Sequence, residues 1–350
     1  MGESWFQGFL KSGCLLTDGD GKVWVGCGAV RRTSSPLEGR LSVYAPDFLL
    51  SDPAPWLIYE LGFEIATNEL CLLLDAVAGG RSAVWQEPDQ AEFARSFEDV
   101  QIRIRDGGLL KAVPSAARTS SEPLTTGQRA QALCRALRLS ERFPMMAYGF
   151  WTDAGDGMIG ATPELLFEQT QDGLITMALA GTRPVDSDRK PLLEDPKEVL
   201  EHRLVIDGIV DRLTPIGRVT TGITSEVRLP TLIHLHTPIK LEPVAPIAFQ
   251  EAVAALHPTP AIGAWPLGPG WEWLRAQPNA KSRGRYGAPF GLVPPNGAGG
   301  KCVVAIRNVQ WSPAGAAIHA GCGVVGPSRL EREWSELGSK LDAIQQALGL

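Results

Sequence analysis

The stretch that decides the fold is Tyr286-Gly-Ala-Pro-Phe-Gly-Leu-Val-Pro-Pro-Asn-Gly-Ala-Gly-Gly-Lys-Cys-Val-Val-Ala-Ile-Arg307-Asn-Val-Gln-Trp-Ser-Pro-Ala-Gly-Ala-Ala-Ile-His-Ala-Gly321-Cys-Gly323-Val-Val-Gly326. Its end has the spacing of a dinucleotide-binding glycine fingerprint. That reading needs a second parallel strand with an acid about 20 residues further on. The 24 residues after Gly326 leave no room for one. Leu330, Trp334, Leu337, Leu341, Ile344 and Leu348 recur at steps of four and three, so nearly all of that tail reads as one helix over about 328–348. Upstream, the apolar segments Tyr286–Leu292, Cys302–Gln310 and Ala316–Ala320 are separated by Pro/Gly turns, the pattern of an antiparallel meander. The glycines therefore read either as a turn whose backbone N–H groups, beside a helix N-terminus, suit a carboxylate or phosphate, or as a tight turn with no ligand.

The same alternation extends outward. Asp18-Gly-Asp-Gly21 joins Cys14–Leu16 to Val23–Val25 as a hairpin. Residues 51–105 show no clear pattern, and the polar run 115–127 reads as a loop or boundary. A helix is expected over about 127–143, then strands near Met146–Trp151, Leu165–Gln169 and Leu174–Ala180. A proline-rich loop, Arg183–Pro196, precedes a helix over Lys197–Leu213 with an apolar stripe of Val199, Ile206, Ile209 and Leu213. Strands near 218–219, 226–229 and 232–235 follow, then a helix from about Pro246 to Leu256. Hairpins interleaved with a few helices predict an α+β fold, antiparallel β-sheets packed together with helices outside.

With 33 Lys and Arg against 39 Asp and Glu, the net charge is −6 over 350 residues. This disfavours duplex nucleic acid or an anionic membrane as the main partner. No run approaches the roughly 18 apolar residues of a membrane span, and the first residues show no basic leader segment. The six cysteines are scattered, which suggests reduced thiols and a cytoplasmic protein.

Two helices carry Glu-x-x-Glu: Glu198 with Glu201, and Glu333 with Glu336. Residues three apart share a helix face, so four carboxylates bordering two buried stripes offer hard oxygen ligands of the kind Mg²⁺ takes. Lys340, four residues after Glu336, adds a cation to that face; the plain alternative is solvated glutamates and an ordinary ion pair. His234 and His236, with His202 and His257, raise a zinc hydrolase, but no His-Glu-x-x-His or cysteine ligand set accompanies them. Lys111, Glu164, Arg183 and Arg307 stand at strands or strand ends. A Lys and a Glu facing one pocket can act as base and acid if burial brings their pKa values together.

In order, the strings Gly160-Ala-Thr-Pro-Glu164-Leu, Leu179-Ala-Gly181-Thr182-Arg183-Pro, Lys197-Glu-x-x-Glu201-His202, His234-Leu-His-Thr237, Leu256-His-Pro-Thr-Pro-Ala261-Ile-Gly263, Arg283-Gly-Arg-Tyr286-Gly-Ala-Pro, Val304-Ala-Ile-Arg307 and Ala320-Gly321-Cys-Gly323 through Glu333-Trp-Ser-Glu336-x-x-x-Lys340 resemble those of the chorismate-binding enzymes, most of all the isochorismate synthases. The likeness runs from about Gly108 to the end, so one domain over 1–350 is expected, with 1–105 a divergent part and 106–350 the motif-bearing catalytic part. The resemblance implies Mg²⁺ held by Glu201 and Glu336, with Glu198 and Glu333 reaching it through water. It places chorismate against Arg307, Tyr286, the Gly321–Gly323 backbone, Gly181, Thr182, His234, Ala261 and Lys340. Lys111, 53 residues before Glu164, takes the place of the base that activates water, and Glu164 that of the acid. A monomer is expected, without nucleic acid or membrane.

Within the family, Leu-His-Pro-Thr-Pro resembles the isochorismate synthases, and Ala180 stands where aminodeoxychorismate synthases carry a nucleophilic lysine. Three strings depart from the family pattern: Gly263-Ala-Trp265 where a second glycine is usual, Ala-Val-Pro-Ser-Ala after Lys111, and Ala-Gly-Cys-Gly for Ala-Gly-Ala-Gly. The alternatives are a salicylate synthase, an anthranilate synthase component I-like enzyme, or a chorismate-binding protein without turnover. Menaquinone, siderophore and salicylate routes remain equally open destinations for the product.

Overall fold

The computed structural model describes residues 4–81, 83–185, 191–297 and 299–350. After α1 (Ser4–Lys11) come β1 (Gly13–Thr17), β2 (Lys22–Thr33), β3 (Ser42–Tyr44) and β4 (Trp56–Ala66), then α2 (Thr67–Asp75) and α3 (Gln90–Arg105). The chain continues through β5 (Lys111–Ala112), β6 (Ser115–Ser120), α4 (Thr126–Arg142), β7 (Met146–Trp151), β8 (Gly157–Thr162), β9 (Leu165–Thr170) and β10 (Gly173–Pro184). Next are α5 (Pro196–Leu213), β11 (Gly217–Thr221), β12 (Ser225–Arg228), β13 (Leu232–Pro243) and α6 (Phe249–Leu256). Last come β14 (Ala264–Trp265), α7 (Leu267–Ala276), β15 (Pro289–Val293), β16 (Lys301–Val304), β17 (Asn308–Ser312), β18 (Gly315–Gly321) and α8 (Leu330–Leu348).

Sixteen of these strands form one hydrogen-bonded sheet, in the order β11-β13-β10-β9-β16-β15-β3-β4-β2-β1-β7-β8-β17-β18-β6 with β12 also on β13; β5 and β14 pair separately. Strands β7 and β15 stand five places apart, about 24 Å across a flat sheet. Yet the Phe290 ring lies 5.3 Å from Tyr148 and 6.4 Å from Phe150, centroid to centroid. The sheet therefore curls until its halves face each other, and Leu16, Val43, Tyr59, Phe150, Leu165 and Val303 fill the space between them. Alternation turns Leu15 to the opposite face, where a second core packs beneath the helices. The packed layers expected from sequence are thus two halves of one sheet, and β1–β4 from the N-terminal part lie mid-sheet.

Several expectations change. The segment Cys302–Gln310 is two strands: β16 pairs with β15 and β9, whereas β17 pairs with β8 and β18. Between them Arg307 adopts φ 56, a left-handed conformation costly for a residue with a Cβ, and the chain passes from one half of the sheet to the other. The polar run 115–127 includes β6, whose alternation was masked by polar side chains suited to an edge strand. Residues 51–105 hold β4, α2 and α3, and the helix expected from Pro246 starts at Phe249, behind Ala248 as its cap. Helix α5 buries Glu198, Glu201, His202, Val205 and Ile209, while Val199 is 40% exposed; its first turns face charge, not apolar core. Part of the proline loop, 186–190, lies outside the described residues. Among those described, no helix is long and apolar enough to cross a membrane, and the six cysteines are buried free thiols.

Candidate active site

Helix α5 starts at a good cap. The Asp195 carboxylate accepts from the Lys197 and Glu198 backbone N–H groups, with Pro196 in the first turn. This start fixes where Glu198 and Glu201 point. Opposite, α8 presents Glu333 and Glu336, and the four carboxylates meet among cations. The Lys197 ammonium lies 3.4 Å from Glu198, 3.0 Å from Glu201 and 3.3 Å from Glu333. Arg332 pairs with Glu198 at 2.7 Å and Lys340 with Glu336 at 2.8 Å. The Thr182 N–H donates to Glu198 at 2.9 Å.

Burial raises the pKa values of Glu198 and Glu333, with like-charged neighbours adding to it. Burial acts the same way on Glu201, but Lys197 and Lys111 outweigh it and hold its carboxyl below the usual range. The surrounding glutamates raise Lys197 despite its own burial.

Lys111 on β5 is held by three backbone ties: Leu110 N–H to Trp265 O at 2.8 Å, Val113 N–H to Gly263 O at 2.9 Å, and Val324 N–H to Ala112 O at 2.8 Å. Its side chain is fully buried, 3.2 Å from Glu201, without hydrogen-bond alignment. Burial lowers its pKa against the pull of Glu201. Glu164, between β8 and β9, is also buried and accepts from the Thr259 hydroxyl at 3.3 Å. Burial pushes it up to about 7, against the charge of Lys111.

Across the pocket, the Arg307 guanidinium donates to His234 Nε2 at 2.6 Å. Arginine only donates, so the proton of this neutral imidazole is assigned to Nδ1, which reaches Gly181 O at 3.1 Å. Burial and Arg307 both keep His234 uncharged. Tyr286 stacks on His319 with ring centroids 5.6 Å apart, and burial moves its phenol up to about 12. Gly323 is dictated by contact: a Cβ there would stand 2.0 Å from Glu201 Oε1 and 2.7 Å from Lys111 Cε. Gly181 needs its glycine for another reason, φ 73 in the bulge of β10.

These parts surround a pocket, partly open to solvent, lined by Glu164, Thr182, Glu201, His234, Ala261, Tyr286, Arg307, Gly321, Gly323 and Lys340 among others. Glu333 and Glu336 line an adjoining cavity with Lys197 that shares Thr182. Lys111 stands behind Gly323, and Gly181 and Glu198 are packed together behind Thr182. The residues expected from sequence are thus gathered in one place. Lys197, Arg332, Thr259 and His319 were not among them. For Lys197 a signal existed, because it precedes Glu201 by four and pairs with it along one helix face.

Two alternatives fall. His202 bonds Thr237 at 2.7 Å, His257 bonds Phe48 O at 2.8 Å and His234 is engaged by Arg307 and Gly181 O, and among the described residues no histidines gather as a metal-ligand set. The strand before Gly321 pairs antiparallel with β17 and β6, which removes the parallel unit a dinucleotide fingerprint requires.

The family model described as "Chorismate binding enzyme" matches residues 77–349. The chain belongs to the chorismate-binding enzymes. It is 31% identical over 270 residues to the salicylate biosynthesis isochorismate synthase of Pseudomonas aeruginosa, a match covering 74% of this chain and 55% of that protein. Against isochorismate synthase DhbC of Bacillus subtilis it is 30% identical over 284 residues, covering 75% and 69%. The matched stretch is thus little more than half of the first relative. Among solved structures, DhbC of Bacillus anthracis superposes with a TM-score of 0.78 at 22% identity over 97% of both chains, which places this chain in the same fold.

The carboxylate cluster of this chorismate-binding enzyme suits a cation. Glu333 is wholly buried, yet neither of its oxygens accepts an aligned hydrogen bond, although the Ser328 hydroxyl is near enough to lower its pKa. The position between Glu198, Glu201 and Glu333 already holds one positive group, the Lys197 ammonium. Buried carboxylates at this density need such a partner.

Proposed function

We propose that this chain is a Mg²⁺-dependent isochorismate synthase, acting on chorismate as a single-domain, monomeric, cytoplasmic enzyme. The observation that carries the reading is that Glu164, in the pocket wall, and Lys111, behind Gly323, are both buried, with pKa values displaced toward each other from opposite ends. The names of the two relatives, both isochorismate synthases, support the same activity.

In this reading Arg307, Tyr286 and the Gly321–Gly323 backbone hold the enolpyruvyl carboxylate, with Gly181, Thr182, His234, Ala261 and Lys340 around the ring. Glu198, Glu201, Glu333 and Glu336 would hold Mg²⁺, which supplies positive charge against the ring carboxylate. Lys111 takes a proton from water as its oxygen bonds to C2. The ring double bonds shift, the C4–O bond breaks, and Glu164 gives its proton to the departing hydroxyl. One water enters and one leaves, so the change is an isomerisation, and solvent exchange resets the two side chains. Ala180 lines the pocket and offers no nucleophile, which favours water over a covalent intermediate.

The test is chromatographic identification of the product from chorismate and Mg²⁺. Isochorismate without added ammonia is expected. Salicylate with pyruvate as the main product reassigns the chain to salicylate synthase. Anthranilate made only with ammonia or glutamine overturns both, and calorimetric binding of chorismate without turnover leaves a binding protein.

A further inference from the structure

Cys322 sits between the two glycines of the pocket turn, and the proposed reaction makes no use of it. It is completely buried, and its Sγ donates to Glu333 O at 3.0 Å. With one carboxylate oxygen each from Glu333 and Glu336 it forms a set of three ligand atoms, all within 4.8 Å of one another. A second observation points to a ligand: the wholly buried Glu333 carboxylate accepts no aligned hydrogen bond through either oxygen. The charges facing the set are Lys197, 3.3 Å from Glu333, and Lys340, 2.8 Å from Glu336.

Chemistry separates the cations that can use this set. Mg²⁺ prefers oxygen ligands, so the thiol adds little for it. Zn²⁺ and Co²⁺ take a sulfur with carboxylates readily. Tetrahedral ligands at about 2.0–2.3 Å from a metal stand roughly 3.3–3.8 Å apart, so a set within 4.8 Å needs to contract by at most about 1.5 Å.

We propose that Cys322, Glu333 and Glu336 form a site for a thiophilic divalent cation of the Zn²⁺ or Co²⁺ kind, in competition with Mg²⁺ for the two glutamates. Binding breaks the Cys322 S–H bond, forms a metal–sulfur bond and sends the proton to solvent, with no change of oxidation state. The site shares carboxylates with the Mg²⁺ site proposed above but is tested without turnover. Its failure therefore says nothing about chorismate chemistry, and the reverse holds too.

The test titrates the chelator-stripped full chain with Co²⁺ and follows the near-ultraviolet sulfur-to-cobalt charge-transfer band, alongside calorimetry with Zn²⁺ and Mg²⁺. In the wild type the band should rise to one equivalent and shrink when Mg²⁺ is added in excess. In Cys322→Ala it should be absent and Zn²⁺ binding clearly weaker, with Mg²⁺ binding unchanged. Cys322→Ser, closer in volume, repeats the comparison should the alanine variant fold poorly by circular dichroism. Co²⁺ binding without the band, a band that survives in either variant through the other cysteines, or no Co²⁺ binding at all would each overturn the proposal.

Discussion

Replacing Glu164 by Gln separates catalysis from stability at one buried position. Glutamine keeps the shape and leaves an oxygen for the Thr259 hydroxyl, 3.3 Å away in the wild type, but it has no proton to give. Loss of a general acid costs about 10²–10⁴-fold in kcat, and KM should change little. The carboxyl is moved from 4.5 to about 7, chiefly by burial, which corresponds to about 3 kcal/mol between protonation states. Its folded pKa lies above its unfolded one. The associated stability is therefore complete below about pH 4.5 and lost as pH rises through 7. At roughly 2.1 cal/mol/K per residue of unfolding entropy, 3 kcal/mol is about 4 °C in Tm for a chain of this length. Between pH 5 and pH 8 the wild type should therefore lose about 4 °C more than Glu164→Gln. Wild-type activity should also fall as Glu164 ionises above about pH 7. Paired melting curves and initial rates across that range give both readouts. A variant within tenfold of wild-type kcat, or a Tm difference that does not change with pH, would refute the reasoning.

Other substitutions probe the rest of the site. Gly323→Ala drives a Cβ against Glu201 and Lys111, and should abolish turnover and weaken Mg²⁺ binding by calorimetry while far-ultraviolet circular dichroism stays native. Lys197→Met removes the ammonium that touches three glutamates; denaturant unfolding should show a loss of about 3–5 kcal/mol, much of it restored by millimolar Mg²⁺. His234→Leu takes away the acceptor of Arg307, and steady-state kinetics should show KM for chorismate up by about 10–100-fold with a smaller change in kcat.

Helix α8 shows how much could be read in advance. Its six apolar positions at steps of four and three predicted both its span and its buried face, and Leu337, Leu341, Ile344 and Leu348 are buried. The candidate site residues stand in short strings, and the fold gathers those strings around one pocket and the cavity beside it. The first turns of α5 were misread for a physical reason. Periodicity assigns apolar residues to the inside, but Glu198 and Glu201 are buried against Lys197 of the same helix, Lys111 of β5 and Arg332 of α8, which compensate them. Strand β6 was missed because its polar side chains suppress the alternation signal.

By itself, the sequence determined the antiparallel α+β class, the approximate spans of α4, α5 and α8 and the spacing of its four glutamates. These follow from local periodicity and turn chemistry. Two things were decided only in three dimensions. One is the passage between sheet halves at Arg307, where 302–310 reads as a single apolar strand but the backbone turns left-handed, and β16 and β17 find different partners. The other is the neutralisation of the carboxylates, since the charge that makes a buried glutamate tolerable depends on which cations the folded chain brings within about 3 Å.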